Sequence, residues 1–174
     1  MRSDAGPSSS REFLSVYISG YVDGEGCFTV SIAPRAKLKV GWEVRPSLSV
    51  SQNGDRAEVL HALQAYFGCS SIRPDRSDKT LKWETRRLGD LLGRVIPHFI
   101  AYPLLSGKRY DFERFAVICG LLERGAHRER EGLIRIVAVA GEMNPGGRRR
   151  YRSEEVLAKL LQGEGIVCAS GNRG

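Results

Sequence analysis

The sequence predicts an α+β fold with an αββαββα core, in which one four-stranded antiparallel sheet carries helices on one face, followed by extra C-terminal helices. Two observations predict it. Four segments alternate apolar and polar residues with the period of two that is typical of half-buried strands, and they come in two pairs. Each pair follows a segment with helical spacing, which places helices against the apolar side of the sheet.

The first helix, first strand pair and second helix are predicted from the N-terminal half. Helical spacing runs from about Arg11 to Asp23, and the alternating segment CFTVSIA begins at Cys27. After a basic turn, VGWEVRPSLSVSQ alternates again, with Pro46 indicating an edge or an irregularity. The second helix, NGDRAEVLHALQAYFG, is closed by Gly68.

The second strand pair and the remaining helices follow in the C-terminal half. CSSIRP and KTLKWETR predict the strands, and RLGDLLGRVIPHFI predicts a helix that ends at Pro97. KRYDFERFAVICGLLERG predicts a helix closed by Gly125, and REREGLIRIVAVAGEMN predicts another. SEEVLAKLLQG predicts a short amphipathic C-terminal helix.

Length and charge limit the organisation of the chain. With 174 residues and 41% hydrophobic residues it can form one ordinary core, which we assign to residues 11–144. Residues 1–10 are predicted to be a disordered tail, and residues 145–174 a basic linker with a short helix and a tail. The chain has 27 Lys and Arg against 20 Asp and Glu, a net charge of +7, which favours a polyanionic partner.

The cysteines and the N-terminus exclude several classes of protein. Four scattered cysteines without a CxxC pair indicate neither a zinc site nor a disulfide framework. No segment resembles a signal peptide or reaches membrane-spanning length. We therefore expect a soluble, intracellular protein without a membrane partner.

The stretch DGEG at the end of the first helix calls for an explanation. Gly20 and Gly24, four residues apart, leave one helix face without bulk beside Ser19, so that another backbone can approach closely. If that partner is a two-fold copy, Glu25 of each chain comes near the axis, where a divalent cation such as Mg²⁺ would offset the repulsion. The alternative is an ordinary C-terminal turn in which Asp23 and Glu25 are solvated.

The nonapeptide ISGYVDGEG (Ile18–Gly26) resembles the signature of the LAGLIDADG homing endonucleases, with Glu25 in place of the usual final aspartate. The order of elements over Phe13–Ala140 also resembles that family. One copy of the motif implies a homodimer. The resemblance implies a site-specific endonuclease that makes double-strand breaks in a long, partly palindromic DNA by attack of metal-activated water. Mg²⁺ is the implied cofactor, with Mn²⁺ able to substitute and Ca²⁺ supporting binding without cleavage.

The resemblance also implies site residues. The metal would be held by Glu25 and the backbone carbonyl of Gly24. Glu25, Gln52, Arg56 and Lys108 would be catalytic, with Arg109 the alternative to Lys108. The dimer interface would contain Ser19, Gly20, Asp23 and Gly24.

In that family the sheet is the DNA-binding saddle, so the outward side chains of the strands would face the major groove. Those side chains are Thr29, Ser31, Ala33, Arg35, Glu43, Arg45, Ser47, Ser49, Arg73, Asp75, Thr80, Lys82 and Glu84. Arginine, serine and threonine can bind base edges and phosphates. The pattern alone fits equally well the solvated side of an antiparallel sheet.

Three other functions remain open. An intron maturase would use the same basic surface to assist splicing of its host intron RNA. A sheet-based transcriptional regulator would have lost the metal ligand, whereas Glu25 is present. In a basic domain without catalysis the motif would be a coincidence. For the endonuclease we expect a location in the bacterial cytoplasm or nucleoid, or in an organelle.

Overall fold

The computed structural model describes residues 7–75, 80–144 and 151–162, with side chains from residue 10 onward. In chain order the elements are α1 (Pro7–Glu25), β1 (Gly26–Pro34), β2 (Trp42–Asn53), α2 (Glu58–Phe67), β3 (Ser71–Pro74), β4 (Thr80–Thr85), α3 (Leu88–Asp90), α4 (Ile96–Ala101), α5 (Lys108–Glu123), α6 (Arg130–Gly141) and α7 (Ser153–Gln162). The predicted α+β fold and its αββαββα order are confirmed. Helix α1 begins at Pro7, inside the stretch predicted to be a disordered tail. Most of that tail, the basic linker and the C-terminal tail lie outside the described residues.

The four strands form one sheet in the order β1-β2-β4-β3. Strand β4 is antiparallel to both β2 and β3. The register places Val50 opposite Trp83 and, on the other face, Ser51 opposite Lys82. Val50 and Trp83 are buried while Ser51 is exposed, so the predicted alternation is confirmed in these strands.

The chain divides into two compact units, and the first contains the residues up to Phe28 together with Ser47–Glu113. Its core is rich in aromatic contacts, since Phe67 stacks on Trp83 at 5.5 Å and Phe28 meets Phe99 edge-on at 5.5 Å. Such pairs contribute beyond the area that they bury.

The helix predicted to end at Pro97 instead continues to Ala101. Between α3 and α4 the chain forms a π-helical turn at Leu91–Val95, and Pro97 is the second residue of α4. A π turn shifts the backbone hydrogen bonds by one residue, so the helix can accept a proline that donates none. The prediction that Pro97 ends the helix is therefore wrong.

A buried histidine connects α4 to α1 and α2. Ser19 Oγ donates to the carbonyl oxygen of Tyr102 at 2.7 Å, so it accepts from His98 Nε2, 3.1 Å away. The other ring nitrogen, Nδ1, then accepts from the hydroxyl of Tyr66 at 2.9 Å. We assign a neutral imidazole, and burial lowers the pKa of His98 to about 4.

We predict that the protein loses stability as the pH falls from about 6.5 to about 4. In this range His98 of the unfolded chain binds a proton that the folded state excludes, so the free energy of unfolding falls by up to about 3 kcal/mol. Urea unfolding at several pH values checks this. His98→Gln should have a flatter dependence over the same range; an equal slope would contradict the prediction. Burial also lowers the pKa of His127, but His127 is present in both the unmodified protein and His98→Gln. The difference between their pH dependences of the free energy of unfolding therefore isolates His98.

The second unit contains Thr29–Pro46 and the residues from Arg114 onward. Its core brings together residues of β2, α6 and α7: Trp42, Leu133, Val137, Val156 and Leu160. The short C-terminal helix predicted from the sequence is present as α7, and it is part of this core.

The state of the cysteines and the length of the helices were also addressed by the sequence predictions. Cys27, Cys69 and Cys119 are free thiols, and Cys168 lies outside the described residues. In the described parts of the chain, no helix is both long and apolar enough to span a bilayer.

Candidate functional site

A crowded glycine fixes the place where α1 gives way to β1. A Cβ atom at Gly26 would lie 2.5 Å from Val22 Cγ1 and 2.7 Å from the Val22 carbonyl oxygen. The second of these atoms belongs to the backbone and cannot rotate away. Glycine therefore allows the strand to start directly after Glu25, and both Gly24 and Glu25 are exposed at this end of the helix.

We predict that Gly26→Ala destabilises the protein by about 1–3 kcal/mol, the usual cost of forcing an extra carbon into a packed position. Urea unfolding measures this. Gly89→Ala is the matched control, because no described atom lies within 4 Å of its added Cβ, Gly89 lies in the helix α3, and alanine favours a helix. Equal stability of the Gly26→Ala variant and the unmodified protein would contradict the role given to Gly26.

Lys108 reaches the same end of α1 from the start of α5. Its Nζ donates to the carbonyl oxygens of Val22, at 3.0 Å, and Gly24, at 3.1 Å. A cation is favourable there because the last carbonyls of a helix have no partners within it. Arg109, the alternative candidate, instead pairs with Glu113 on α5 at 3.5 Å.

Asp23 holds the start of α5 in place. Its carboxylate accepts hydrogen bonds from the N–H groups of Leu105, at 3.1 Å, and Ser106, at 2.9 Å, and from the Ser106 hydroxyl. Ser106 Oγ accepts in turn from the N–H of Lys108 at 3.1 Å. Burial raises the pKa of Asp23, but these hydrogen bonds outweigh it and the pKa is lowered overall.

Gln52 is held against α1, whereas Arg56 is exposed. The Gln52 amide donates to the hydroxyl of Tyr21, and its Oε1 accepts from the N–H of Asn53 at 3.0 Å. Arg56 ends the 3₁₀ turn Gly54–Arg56 that follows β2. The structure thus joins Gln52, but not Arg56, to the helix that carries the motif.

The outer face of α1 exposes apolar side chains next to its glycines. Phe13 is 74% exposed, Val16 58% and Tyr17 48%. Gly20 and Gly24 continue this face at helical spacing, and no described atom lies within 4 Å of a Cβ at either position. We call these five residues the α1 outer face.

Two residues predicted for the dimer interface have other roles. Ser19 is only 6% exposed, because it lies on the inner side of α1 and binds His98. The carboxylate of Asp23 is bound by residues 105–106 of its own chain. Both side chains are thus engaged within the chain, and their assignment to an interface between chains stays a prediction.

Two serines predicted to face DNA are also buried. Ser47 and Ser49 are each 7% exposed. Ser49 lies opposite Glu84 in the sheet, and the Glu84 side chain is itself only 7% exposed. The alternation places Ser49 on the polar face, but this does not make it accessible.

In each unit, two arginines in or next to the strands bind one glutamate. In the first unit Glu84 is bound by Arg73 and by Arg86, with Arg86 Nη2 2.9 Å from Oε2. In the second, Glu43 pairs with Arg35 at 2.7 Å and Arg45 at 2.6 Å. Hydrogen bonds from Arg35 and Arg45 lower the pKa of Glu43.

The remaining predicted DNA-facing residues lie on the strands or next to them. On β1, Thr29 and Ala33 are half-buried and Ser31 is exposed, with its hydroxyl 3.5 Å from the Arg45 carbonyl oxygen. Asp75 and Thr80 flank the gap between β3 and β4, and both are half-buried.

The end of α1 offers ligands that suit Mg²⁺. The Glu25 carboxylate and the Gly24 carbonyl are adjacent hard oxygen donors. Lys108 uses one lone pair of that carbonyl oxygen, which leaves the other available. Within the described ranges, no group of three or more His, Cys, Asp or Glu residues could hold a metal. The donors therefore fit Mg²⁺ that is also bound by substrate phosphates, the arrangement common for this ion.

Three contributors to these sites were missed by the sequence analysis. Ser106 carried a signal, since a serine just before a predicted helix is a common cap. Tyr21 lies inside the predicted first helix, which indicates no role beyond that helix. Arg86 lies one residue beyond β4. Their contacts with Gln52 and Glu84 depend on tertiary structure, which no local pattern encodes.

Comparisons with known proteins agree with this geometry. The family model described as LAGLIDADG endonuclease matches residues 18–119. Homing endonuclease I-ApeII of Aeropyrum pernix is 30% identical over 166 residues, which cover 92% of this chain and 97% of that protein. Probable intron-encoded endonuclease 3 of Neurospora crassa is 32% identical over 78% of this chain. The chain spans only 26% of that relative, 29% of a second protein from N. crassa and 25% of one from Podospora anserina.

Solved structures share the fold over most of the chain. The archaeal intron-encoded homing endonuclease I-Vdi141I, complexed with DNA, has a TM-score of 0.79 at 27% identity, covering 87% of this chain and 96% of that one. I-TnaI, a homing endonuclease, has a TM-score of 0.74 at 34% identity over 86% of this chain and 96% of that one. I-SmaMI, bound to uncleaved DNA in the presence of calcium ions, has a TM-score of 0.75 at 26% identity over 86% of this chain and 49% of that one.

Proposed function

Because the chain belongs to the LAGLIDADG endonuclease family, we propose that it is a site-specific homing endonuclease that cuts both strands of a long, partly palindromic DNA as a homodimer. The observation that carries the proposal is the end of α1. There Glu25 is exposed, and Lys108 binds the carbonyl next to it. A carboxylate and an ammonium group at one exposed helix end can serve a phosphodiester and its metal.

The side chains of the first unit would share the chemistry as follows. Glu25 and the Gly24 carbonyl would hold Mg²⁺ at the scissile phosphate. Bound Mg²⁺ supplies Lewis acidity and lowers the pKa of its water. Lys108 would stabilise charge developing on the phosphate, and Gln52, held by Tyr21, would orient the attacking water. Arg56, which is exposed, would approach the phosphate from the 3₁₀ turn after β2.

We propose that two chains associate through the α1 outer face. Exposed aromatic side chains beside glycines are typical of a contact surface, and the glycines let two helix backbones approach closely. Glu25 at the end of the same helix would then be present twice, once for each DNA strand.

The arginines around Glu43 and Glu84 are the DNA contacts that we favour in each unit, since arginine binds both guanine edges and phosphates. The net charge of +7 supports binding to DNA. Because their short side chains are buried, Ser47 and Ser49 are no longer among the proposed contacts.

The maturase remains an alternative, with host intron RNA as its partner. Relatives named as homing or intron-encoded endonucleases favour DNA cleavage. For either function we expect an intracellular location.

A plasmid library that carries random inserts tests the proposal. Incubation with Mg²⁺ or Mn²⁺ should give double-strand cuts at one related set of sequences, and Ca²⁺ should support binding without cuts. The absence of cuts in Mg²⁺, together with tight binding of a structured intron RNA, would contradict the endonuclease and favour the maturase.

A further inference from the structure

Glu84 is a half-buried residue on the polar face of the sheet, and neighbouring side chains cover its carboxylate. It lies in β4, opposite Ser49 of β2 on one side and Ser71 of β3 on the other. Its side chain is only 7% exposed. A carboxylate at this depth is stable only if it is paired, so its partners define its role.

Three cations surround this carboxylate. Arg73 Nη2 lies 2.5 Å from Oε2, and Arg86 Nη2 lies 2.9 Å from Oε2 and 3.0 Å from Oε1. Lys82 Nζ is 4.0 Å from Oε1. The four charges leave a local excess of two positive charges. Burial raises the pKa of Glu84, but the hydrogen bonds from Arg73 and Arg86 lower it overall.

The two guanidinium groups keep donors for a ligand. Each guanidinium has five N–H donors, and Glu84 uses only a few of them. Arg73 is 52% exposed and Arg86 56%. Both line a cavity of about 260 Å³ together with Arg87 and Asp90. That volume is several times the roughly 30 Å³ that a water molecule occupies in the liquid, so the arginines border a space in which a polar group can bind.

We propose that Glu84 is a positioning residue for DNA recognition, which fixes Arg73 and Arg86 as a pair of guanidinium groups directed at acceptors on the target DNA. This inference rests on the proposed function. Arg86 thereby joins the DNA-binding residues, although it lies just beyond β4. The acceptors are oxygen or nitrogen atoms of a guanine edge, or phosphate oxygens.

The direction in which Glu84→Gln changes the DNA affinity distinguishes a positioning role from an effect of net charge alone. Removing the negative charge of Glu84 makes the protein more basic, which by itself strengthens binding to any DNA. Loss of positioning has the opposite effect on the specific site, because each long arginine side chain must then lose its rotamer freedom on binding. Glu84→Gln should therefore bind its specific site more weakly even though its net charge is more positive.

The test begins with selection from random duplexes of about 32 base pairs, three helical turns, in Ca²⁺. The duplex that the unmodified protein selects is then titrated with Glu84→Gln. The matched control is Glu142→Gln, which removes the same charge from an exposed glutamate paired with Arg114. We expect Glu84→Gln to lose on the order of 10- to 100-fold in affinity for the selected duplex, with no loss for a scrambled duplex. The control should bind both duplexes at least as tightly as the unmodified protein does. Equal thermal unfolding midpoints of the three proteins would verify that the fold is intact.

Combined substitutions complete the test. If Glu84 acts through the arginines, Glu84→Gln should add little once Arg73→Ala and Arg86→Ala are present. A repeated selection with Glu84→Gln should then relax the sequence preference where the arginines read bases. Where the arginines bind phosphates, Glu84→Gln should instead reduce the dependence of the DNA affinity on salt concentration.

Three outcomes would overturn the inference. Unchanged or tighter specific binding by Glu84→Gln would leave the proposed function standing without it. A loss of affinity that adds to the effect of the arginine substitutions, and that is confined to a single C·G pair, would show that Glu84 reads cytosine directly. If the unmodified protein selects no sequence, the proposed function fails and the inference with it.

Discussion

Replacing Glu25 with Gln is expected to abolish DNA cleavage and to leave DNA binding intact. The substitution keeps the shape of the side chain but replaces an anionic ligand with a neutral amide, which is a poor ligand for Mg²⁺. Electrostatic stabilisation by a bound metal is worth several kcal/mol, so we expect the rate of strand cleavage to fall by about 10³-fold or more. Single-turnover cleavage of the selected duplex measures this rate.

The fold should tolerate this change, because Glu25 is exposed at the end of α1. Glu113→Gln is the matched control, since it removes the same charge from an exposed position on α5. A Glu25→Gln variant that cleaves within about 10-fold of the control would contradict the role of Glu25 as a metal ligand.

Replacing Gly20 with Leu is expected to convert the proposed homodimer into monomers and to abolish double-strand cleavage. A leucine side chain here would separate two helices that meet through their glycines. Overpacking costs about 1–3 kcal/mol or more, which weakens association by about 10²-fold. Sedimentation analysis over a range of protein concentrations measures the dissociation constant.

The isolated chain offers room for this leucine, because no described atom lies within 4 Å of a Cβ at Gly20. Gly89→Leu is the matched control, since Gly89 is also exposed without a described neighbour within 4 Å. If Gly20→Leu dimerises as tightly as the control, the α1 outer face is not the interface.

Alternation was a good guide to the strands and a poor guide to accessibility. Val50 and Trp83 face inward as their pattern predicts, because a strand that turns one face to a core must alternate. Ser49 alternates in the same way but is buried, because exposure also depends on neighbouring side chains that the alternation does not describe. Period two therefore gives the face of a residue and not its depth.

Helix positions near the site needed tertiary information. Gly20 and Ser19 are adjacent in sequence, but successive helix residues lie about 100° apart, so one is exposed and the other binds His98. The same rotation separates Lys108 from Arg109. The sequence predicts a cation at the start of α5. Whether Lys108 or Arg109 reaches the end of α1 depends on how α5 is rotated against α1.

Asp23 illustrates a role that the motif alone leaves open. A carboxylate near the end of a helix can be solvated, bind metal or cap another segment. Its partners are the backbone N–H groups of Leu105 and Ser106, more than 80 residues further along the chain. No local pattern connects these segments, so only the folded chain reveals that Asp23 positions Lys108.

We expect each of two chains to supply one Glu25, which cuts one DNA strand. Mixed dimers test it most directly. Unmodified and Glu25→Gln chains carrying different affinity tags are co-expressed, the mixed dimers are purified through both tags, and a supercoiled plasmid with the selected site is digested in Mg²⁺. We predict nicked circles that are cut in one strand only. Linear plasmid produced at the rate of the unmodified dimer would contradict the claim.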